Sequence, residues 1–445
     1  MATVSVTELT AIDLRESLVS GETQIEPFVD QHWEFVADLD AQVNAFCSFD
    51  KEVVTAQASD LLAQRSRPQP LGSLYGVPIG IKDIIDTVDY PTAYGSAIHQ
   101  GRYPVVDATI VRRLKHAGAL IFGKTVTTEF ATFVPGPTRN PHNLEHTPGG
   151  SSSGSAAAVA SGMVPVAIGS QTNGSVIRPA SYCGVYGFKP SFGVIPRTGM
   201  LAQSPSLDQV GVFARSIEDL ALVTQVMSGD DGLDIGASRR SPQQLLDICR
   251  NEPPLAPKFC FVKTPWWNKV DPQAQQVYED FVASNDSIVW AELPQVVEEA
   301  VRWHACINEA ELLFSLQREL RQHPDGLSKA LKDRLEQARS VTTIDYLLAK
   351  DRIPHVAAAF DEYFDYFDAI LTPAALGTAP HSLESTGDPI MQTVWSMAHL
   401  PSLNLPLFRL DNGLPLGVQA VGKAHDDARL LRSARWLVNS IATES

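Results

Sequence analysis

Ser151, Ser175 and Lys82 are the residues whose types and spacing suggest chemistry. The two serines lie 24 residues apart in separate Gly-rich turns, and Lys82 lies 69 residues before Ser151, at the end of the apolar run VPIGI. A serine hydroxyl attacks a carbonyl when a base takes its proton, and a lysine can be that base if burial lowers its pKa. On spacing alone, a solvated lysine at a strand end is the simpler reading of Lys82.

The serines sit in a long stretch from Pro148 to Ser191, PGGSSSGSAAAVASGMVPVAIGSQTNGSVIRPASYCGVYGFKPS, whose residues 148–178 carry only Arg178 as a permanently charged side chain. Gly, Ser and Ala at this density let the backbone turn tightly and place hydroxyls among free N–H groups. A flexible linker would lack apolar runs, and AAAVA and MVPVAI need burial. Gly150-Ser151-Ser152-Ser153-Gly154 also matches G-x-S-x-G, but that elbow needs a buried strand before it, and TRNPHNLEHTPG is a polar loop. A phosphate-binding loop needs a lysine after its glycines, and none occurs between Pro148 and Arg178. Arg178 reads as a structural ion-pair partner or as a residue ordering the serine turns. Cys183 reads as core, and His142 and His146 as loop histidines without the partners that zinc needs.

These residues require elements to hold them. Helical spacing marks 7–20, Glu26 to Leu39 and 52–64, with a short strand in 43–49. Val77 to Ile81 is an apolar strand ending at Lys82. Asp107 is expected to cap a helix through His116, before a buried strand at 119–123. A helix from about Ser155, strands at 164–168, 185–188 and 210–213, and a helix capped by Ser216 follow. Residues 273–351 read as helical and polar, strand signals return at 368–376 and 417–422, and a helix over Ala428 to Val438 closes the chain. Alternating strands and helices predict an α/β fold with helices on both faces of a sheet. The segment 230–360 reads as a helical insertion over one domain spanning 1–445.

The bulk composition narrows the function. At 445 residues, 44% hydrophobic and 19% charged, the chain has the profile of a globular protein with a large core. A formal net charge of −16 disfavours nucleic acid and anionic membrane as partners. The first residues show no signal-peptide pattern, and five scattered cysteines predict free thiols in a reducing compartment, so a cytoplasmic location is expected.

GGSSSGSAAAVASG followed by GSQTNGSVIRPASYCGVYGFKPS closely resembles the amidase signature family of serine hydrolases. GVPIGIKD around Lys82 and LPLGVQAVGKAHDDARLL at 414–431 are similar to two further segments of that family. The resemblance spans about 74–216 and 370–432. It implies a single α/β domain on a mixed, mostly parallel sheet, with Ser175 as nucleophile, Ser151 as a bridging serine after a cis peptide bond, and Lys82 as base. It also implies an oxyanion hole from the N–H groups of Thr172, Asn173, Gly174 and Ser175. Ser153 and Asn173 depart from the family pattern, standing where glycine is usual, and Asn173 is expected to project an amide beside the acyl site.

Phe130, Phe133, Ile177 and Trp395 are candidate substrate contacts in a partly apolar pocket. The implied activity is hydrolysis of a small-molecule amide, carbamate or ester through an acyl-enzyme, by a monomer or homodimer with no cofactor and no metal. Two rivals are a transamidase component passing ammonia to a partner that acts on tRNA, and a catalytically silent binding protein.

Overall fold

Apolar side chains alternate along the central strands, and helices cover both faces, so nearly every strand residue is buried. The computed structural model describes residues 9–65 and 68–444. Its strands are β1 (Phe46–Phe49), β2 (Pro78–Lys82), β3 (Leu120–Thr125), β4 (Val166–Gln171), β5 (Tyr186–Lys189), β6 (Gln209–Ala214), β7 (Phe259–Val262), β8 (Ile288–Ala291), β9 (Ala369–Pro373), β10 (Ser402–Arg409) and β11 (Pro415–Val421). They form one mixed sheet in the order β1-β3-β2-β4-β6-β5-β10-β11-β9-β7-β8. Parallel pairing joins β3, β2 and β4 on one flank and β9, β7 and β8 on the other, and antiparallel pairing joins the strands between them. This is the expected α/β domain, with helices on both faces of a mixed sheet.

Ile79, Ile81, Val166, Ile168, Val210 and Val212 share one core cluster. Alternate residues of neighbouring strands, including Leu120, Phe122, Ala167 and Phe213, face the cluster on the other side. A third cluster, around Phe360, Phe364 and Trp395, lies beneath the helices of the 230–360 segment.

That segment is not wholly helical. Phe259–Val262 and Ile288–Ala291 are strands β7 and β8 at the sheet's outer edge. Their β-branched and aromatic residues suit a half-buried edge, but the runs are short and lie among stronger helical signals. The Asp107 cap is also corrected. The N-cap of helix Thr109–His116 is Ala108, with no side-chain cap, while Asp107 accepts from Val88 N–H at 2.8 Å and from Lys115 Nζ at 2.7 Å. Ser216 caps Ile217–Met227 as expected, accepting from Asp219 N–H. The first expected helix runs Ala11–Ser20, and residues 7 and 8 lie outside the described residues. Among the described residues, no helix is long and apolar enough to cross a membrane.

Parallel strands β2 and β4 place two chain segments side by side at their carboxyl ends. Ile81 is opposite Ile168, so Lys82 at the end of β2 emerges beside Gly169 and Ser170 near the end of β4. The outer side of the C-terminal strand ends is where open α/β sheets place ligands.

Candidate active site

Lys82 is fully buried, and its amine meets three hydroxyls: Ser151 Oγ at 2.7 Å, Ser170 Oγ at 2.9 Å and Ser152 Oγ at 3.0 Å. Loss of solvent holds its pKa well below the usual lysine value, and the nearby Asp208 carboxylate opposes that only in part. Asp83 and Asp86 point elsewhere. Asp83 accepts from the Ala93 and Gly95 amides and lies 3.6 Å from Lys124, while Asp86 pairs with Arg102.

The hydroxyl protons can be traced. Ser152 Oγ donates to Ser170 O at 3.1 Å and accepts from Ser170 N–H at 3.2 Å, so its remaining lone pair takes an N–H from Lys82. A neutral amine has two N–H donors and one lone pair. Lys82 Nζ lies within hydrogen-bond distance of all three hydroxyls, and when neutral the amine can spare one of these directions for its lone pair, with Ser151 the shortest contact. Ser152 is fully buried and its proton is already used, which removes it as the nucleophile of a G-x-S-x-G elbow.

Ser151 follows a cis peptide bond from Gly150. The Gly150 carbonyl accepts from Arg178 Nη2 at 2.7 Å, and Arg178 Nε donates to Thr386 O at 2.7 Å. Arg178 is thus a buried brace between the first serine turn and residue 386, with no carboxylate among its hydrogen-bond partners in the described residues. Ser153 Oγ donates to Gly149 O inside the same turn at 2.8 Å. Gly154 lets the following helix lie directly on the strands, since a Cβ there would come within 2.1 Å of Ala45 O.

Ser175 is half-buried and lines a cavity of about 240 Å³ together with Phe133, Asn173, Gly174, Gln203 and Asn308. Arg178 and Arg334 lie in the same wall. Among the described residues, the backbone N–H groups of Asn173, Gly174 and Ser175 have no hydrogen-bond partner. The loop is braced on its other sides. Gln171 Oε1 accepts from the Val176 and Ile177 amides at 2.8 and 3.1 Å, and Thr172 Oγ1 donates to Asp208 Oδ1 at 2.6 Å. Asp208 is buried, and loss of solvent pushes its pKa up to about 6.

Other expected site residues are placed differently. Phe130, Ile177 and Trp395 are buried in core clusters and do not line this cavity, and Trp395 packs on Phe360 with ring centroids 4.9 Å apart. Large apolar residues belong more often to the core than to a pocket wall. Phe133 does line the cavity, with the Arg334 guanidinium 5.2 Å above its ring. The Asn173 amide is turned away to Thr393, which donates to its Oδ1 at 2.8 Å, and Asn173 does not adopt the left-handed backbone. His142 and His146 each face a backbone carbonyl, of Cys183 and Ala379 respectively.

Sequence reasoning missed Ser170, Asp208, Asn308 and Arg334. A larger cavity of about 660 Å³, lined by Phe192, Phe314 and Tyr346, touches none of Lys82, Ser151 or Ser175.

The Amidase family model matches residues 29–431. The chain belongs to the amidase family. It is 30% identical over 470 residues to a glutamyl-tRNA(Gln) amidotransferase subunit from Natranaerobius thermophilus, covering 96% of this chain and 94% of that one. A solved structure described as a vestigial protein complex revealing the origins of an s-triazine catabolic enzyme superposes with a TM-score of 0.90 at 28% identity, covering 97% of this chain and 98% of that one. The peptide amidase of Stenotrophomonas maltophilia superposes with a TM-score of 0.83 at 26% identity over 97% of both chains.

Proposed function

We propose that this amidase-family chain cleaves the C–N bond of a small polar amide through an acyl-enzyme on Ser175. The observation that carries the reading is a desolvated lysine whose shortest hydroxyl contact is Ser151 at 2.7 Å, together with a half-buried Ser175 set among unpartnered amides. Lys82 accepts the Ser151 proton as Ser151 accepts that of Ser175, and Ser175 Oγ attacks the carbonyl carbon. The N–H groups of Asn173, Gly174 and Ser175 receive the oxyanion. Collapse breaks the C–N bond, the proton returns through Ser151 to the leaving nitrogen, and water releases the acyl group by the same path.

Among amides, the relatives favour glutamine, with ammonia released to a partner enzyme. Curated proteins about as similar as any cited above are amidotransferase subunits over nearly their whole length. A cavity walled by Arg178, Arg334, Asn308 and Gln203 suits a polar substrate that bears a carboxylate, as glutamine does, better than an aryl or alkyl amide. The net charge of −16 leaves recognition of tRNA to the partner. Hydrolysis of aryl or alkyl amides, or of carbamates, by the isolated chain is the second reading, supported by its likeness to the peptide amidase.

The test is to treat the protein with a fluorophosphonate, locate the adduct by mass spectrometry, and assay ammonia release from glutamine beside a panel of aryl amides, alkyl amides, carbamates and ureas. An adduct on Ser175 with release from glutamine supports the reading. An adduct on Ser152 overturns the mechanism, and fast turnover of an aryl or alkyl amide with none of glutamine overturns the substrate.

A further inference from the structure

We infer that His304, on the helix Val296–Ser315, is a positioning residue that aims the oxyanion hole. The inference rests on Ser175 as the nucleophile. A trans peptide unit is planar, so its C=O and the N–H of the next residue point in opposite directions. Fixing one carbonyl therefore fixes the direction of the following amide. His304 Nε2 faces Thr172 O at 3.0 Å, which directs the Asn173 N–H to the opposite side. Ser396 Oγ donates to Asn173 O at 2.5 Å and does the same for the Gly174 N–H. These two amides are among those left without a protein partner beside Ser175.

The imidazole can act only as a donor toward a carbonyl, so Nε2 carries the proton. Burial supports the neutral ring, pulling its pKa down to about 4. His304 is 2% exposed, and its bond crosses 132 residues of sequence to the reactive loop. The same helix face, at i+4 and i+7, carries Asn308 and Glu311. Asn308 accepts from Arg334 Nη2, and Glu311 accepts from the Ser204 and Ser206 hydroxyls beside Asp208. One polar stripe of the cover thus meets the loops around Ser175, and His304 is the member that touches the oxyanion loop itself. Gly174 adds to the constraint: a Cβ there would lie 2.6 Å from Gln392 Oε1 and 2.9 Å from Arg178 Nη1, so the loop has little room to tilt.

The experiment measures phosphonylation of Ser175 by a fluorophosphonate, which builds negative oxygen in the same hole. In His304→Ala the maximal labelling rate should fall roughly 10–100-fold, as for a misaimed rather than deleted donor. The half-saturating probe concentration should stay within about twofold, since binding before reaction does not use the hole. His304→Gln, whose amide nitrogen reaches about as far as Nε2, should recover most of the rate, and the shorter His304→Asn should not. An unchanged maximal rate in His304→Ala, or equal rates in the Gln and Asn variants, would overturn the inference. If the alanine variant fails to fold, the Gln and Asn variants decide the question alone. Failure of the unmodified chain to label at Ser175 would instead remove the nucleophile assignment on which the inference stands.

Discussion

Strands β2 and β4 and the helix Val296–Ser315 all support the loops around Ser175, but by different means. The strands set the reacting atoms through backbone. Lys82 is the last residue of β2, Ser170 lies near the end of β4, and Gly154 and Gly174 sit where a Cβ would strike neighbouring atoms. The helix works through side chains alone, with His304 on the loop carbonyl and Glu311 on the 204–206 turn. Backbone placement restricts residue type at many consecutive positions. Side-chain bracing restricts only one position per turn and leaves the rest of the helix free.

The contrast can be broken most directly at Ser175. Ser175→Ala should abolish turnover and fluorophosphonate labelling while leaving the melting temperature nearly unchanged, because the hydroxyl is half-buried and makes no described hydrogen bond. Labelling that persists at another serine would show that the strands present a different nucleophile.

Lys82→Ala should cost on the order of 10²–10⁴-fold in kcat/KM, the range for a general base. Its pH dependence carries the sign. The neutral amine is the active form and burial lowers its pKa, so log kcat/KM should rise with pH and level off well below 10.5. A limb that survives unchanged in Lys82→Ala would assign the base to another group.

On the helix side, Glu311→Ala should act on stability. Glu311 is 6% exposed and accepts from Ser204, Ser206 and Tyr346, so its loss should cost about 2–3 kcal/mol, the scale of hydrogen bonds to a buried charge. Urea unfolding would measure it. A change below about 0.5 kcal/mol would mean that the cover braces the turn by shape rather than by that carboxylate.

Ser152→Ala should have the smallest effect, a loss of less than about tenfold. It removes one acceptor of Lys82 but leaves the shorter Lys82–Ser151 contact through which the proposed relay runs. A loss as large as that of Lys82→Ala would place Ser152 in the proton path.

The same contrast explains what could be read from the sequence. Residues 148–191 announced a site because close backbone approach demands Gly, Ala and Ser in a long run, and β2, β4 and β6 were visible as apolar strands. His304 and Glu311 were not visible, since polar residues recurring at helical spacing on an amphipathic helix look like its solvent face. Asp208 was hidden for a related reason. Its partners are the Gln203 and Ser204 amides and the Thr172 hydroxyl, and none of these leaves a sequence pattern. Phe130 and Trp395 misled because a large aromatic suited to a substrate pocket is equally suited to the core, and both are core residues. β7 and β8 were missed because four-residue strands carry too little periodicity to stand out from the helices around them.

The Arg178 brace has a consequence for the order of synthesis. Lys82, Ser151 and Ser175 all leave the ribosome before residue 176, whereas the partners that hold their turns come much later. Arg178 closes on Thr386, the loop carbonyls wait for His304 and Ser396, and β10, which pairs with β5, begins only at Ser402. A nascent chain that has made all three side chains therefore still lacks the contacts that close their turns until about residue 402 is made. The geometry around Ser175 is complete only after closure of these long-range contacts.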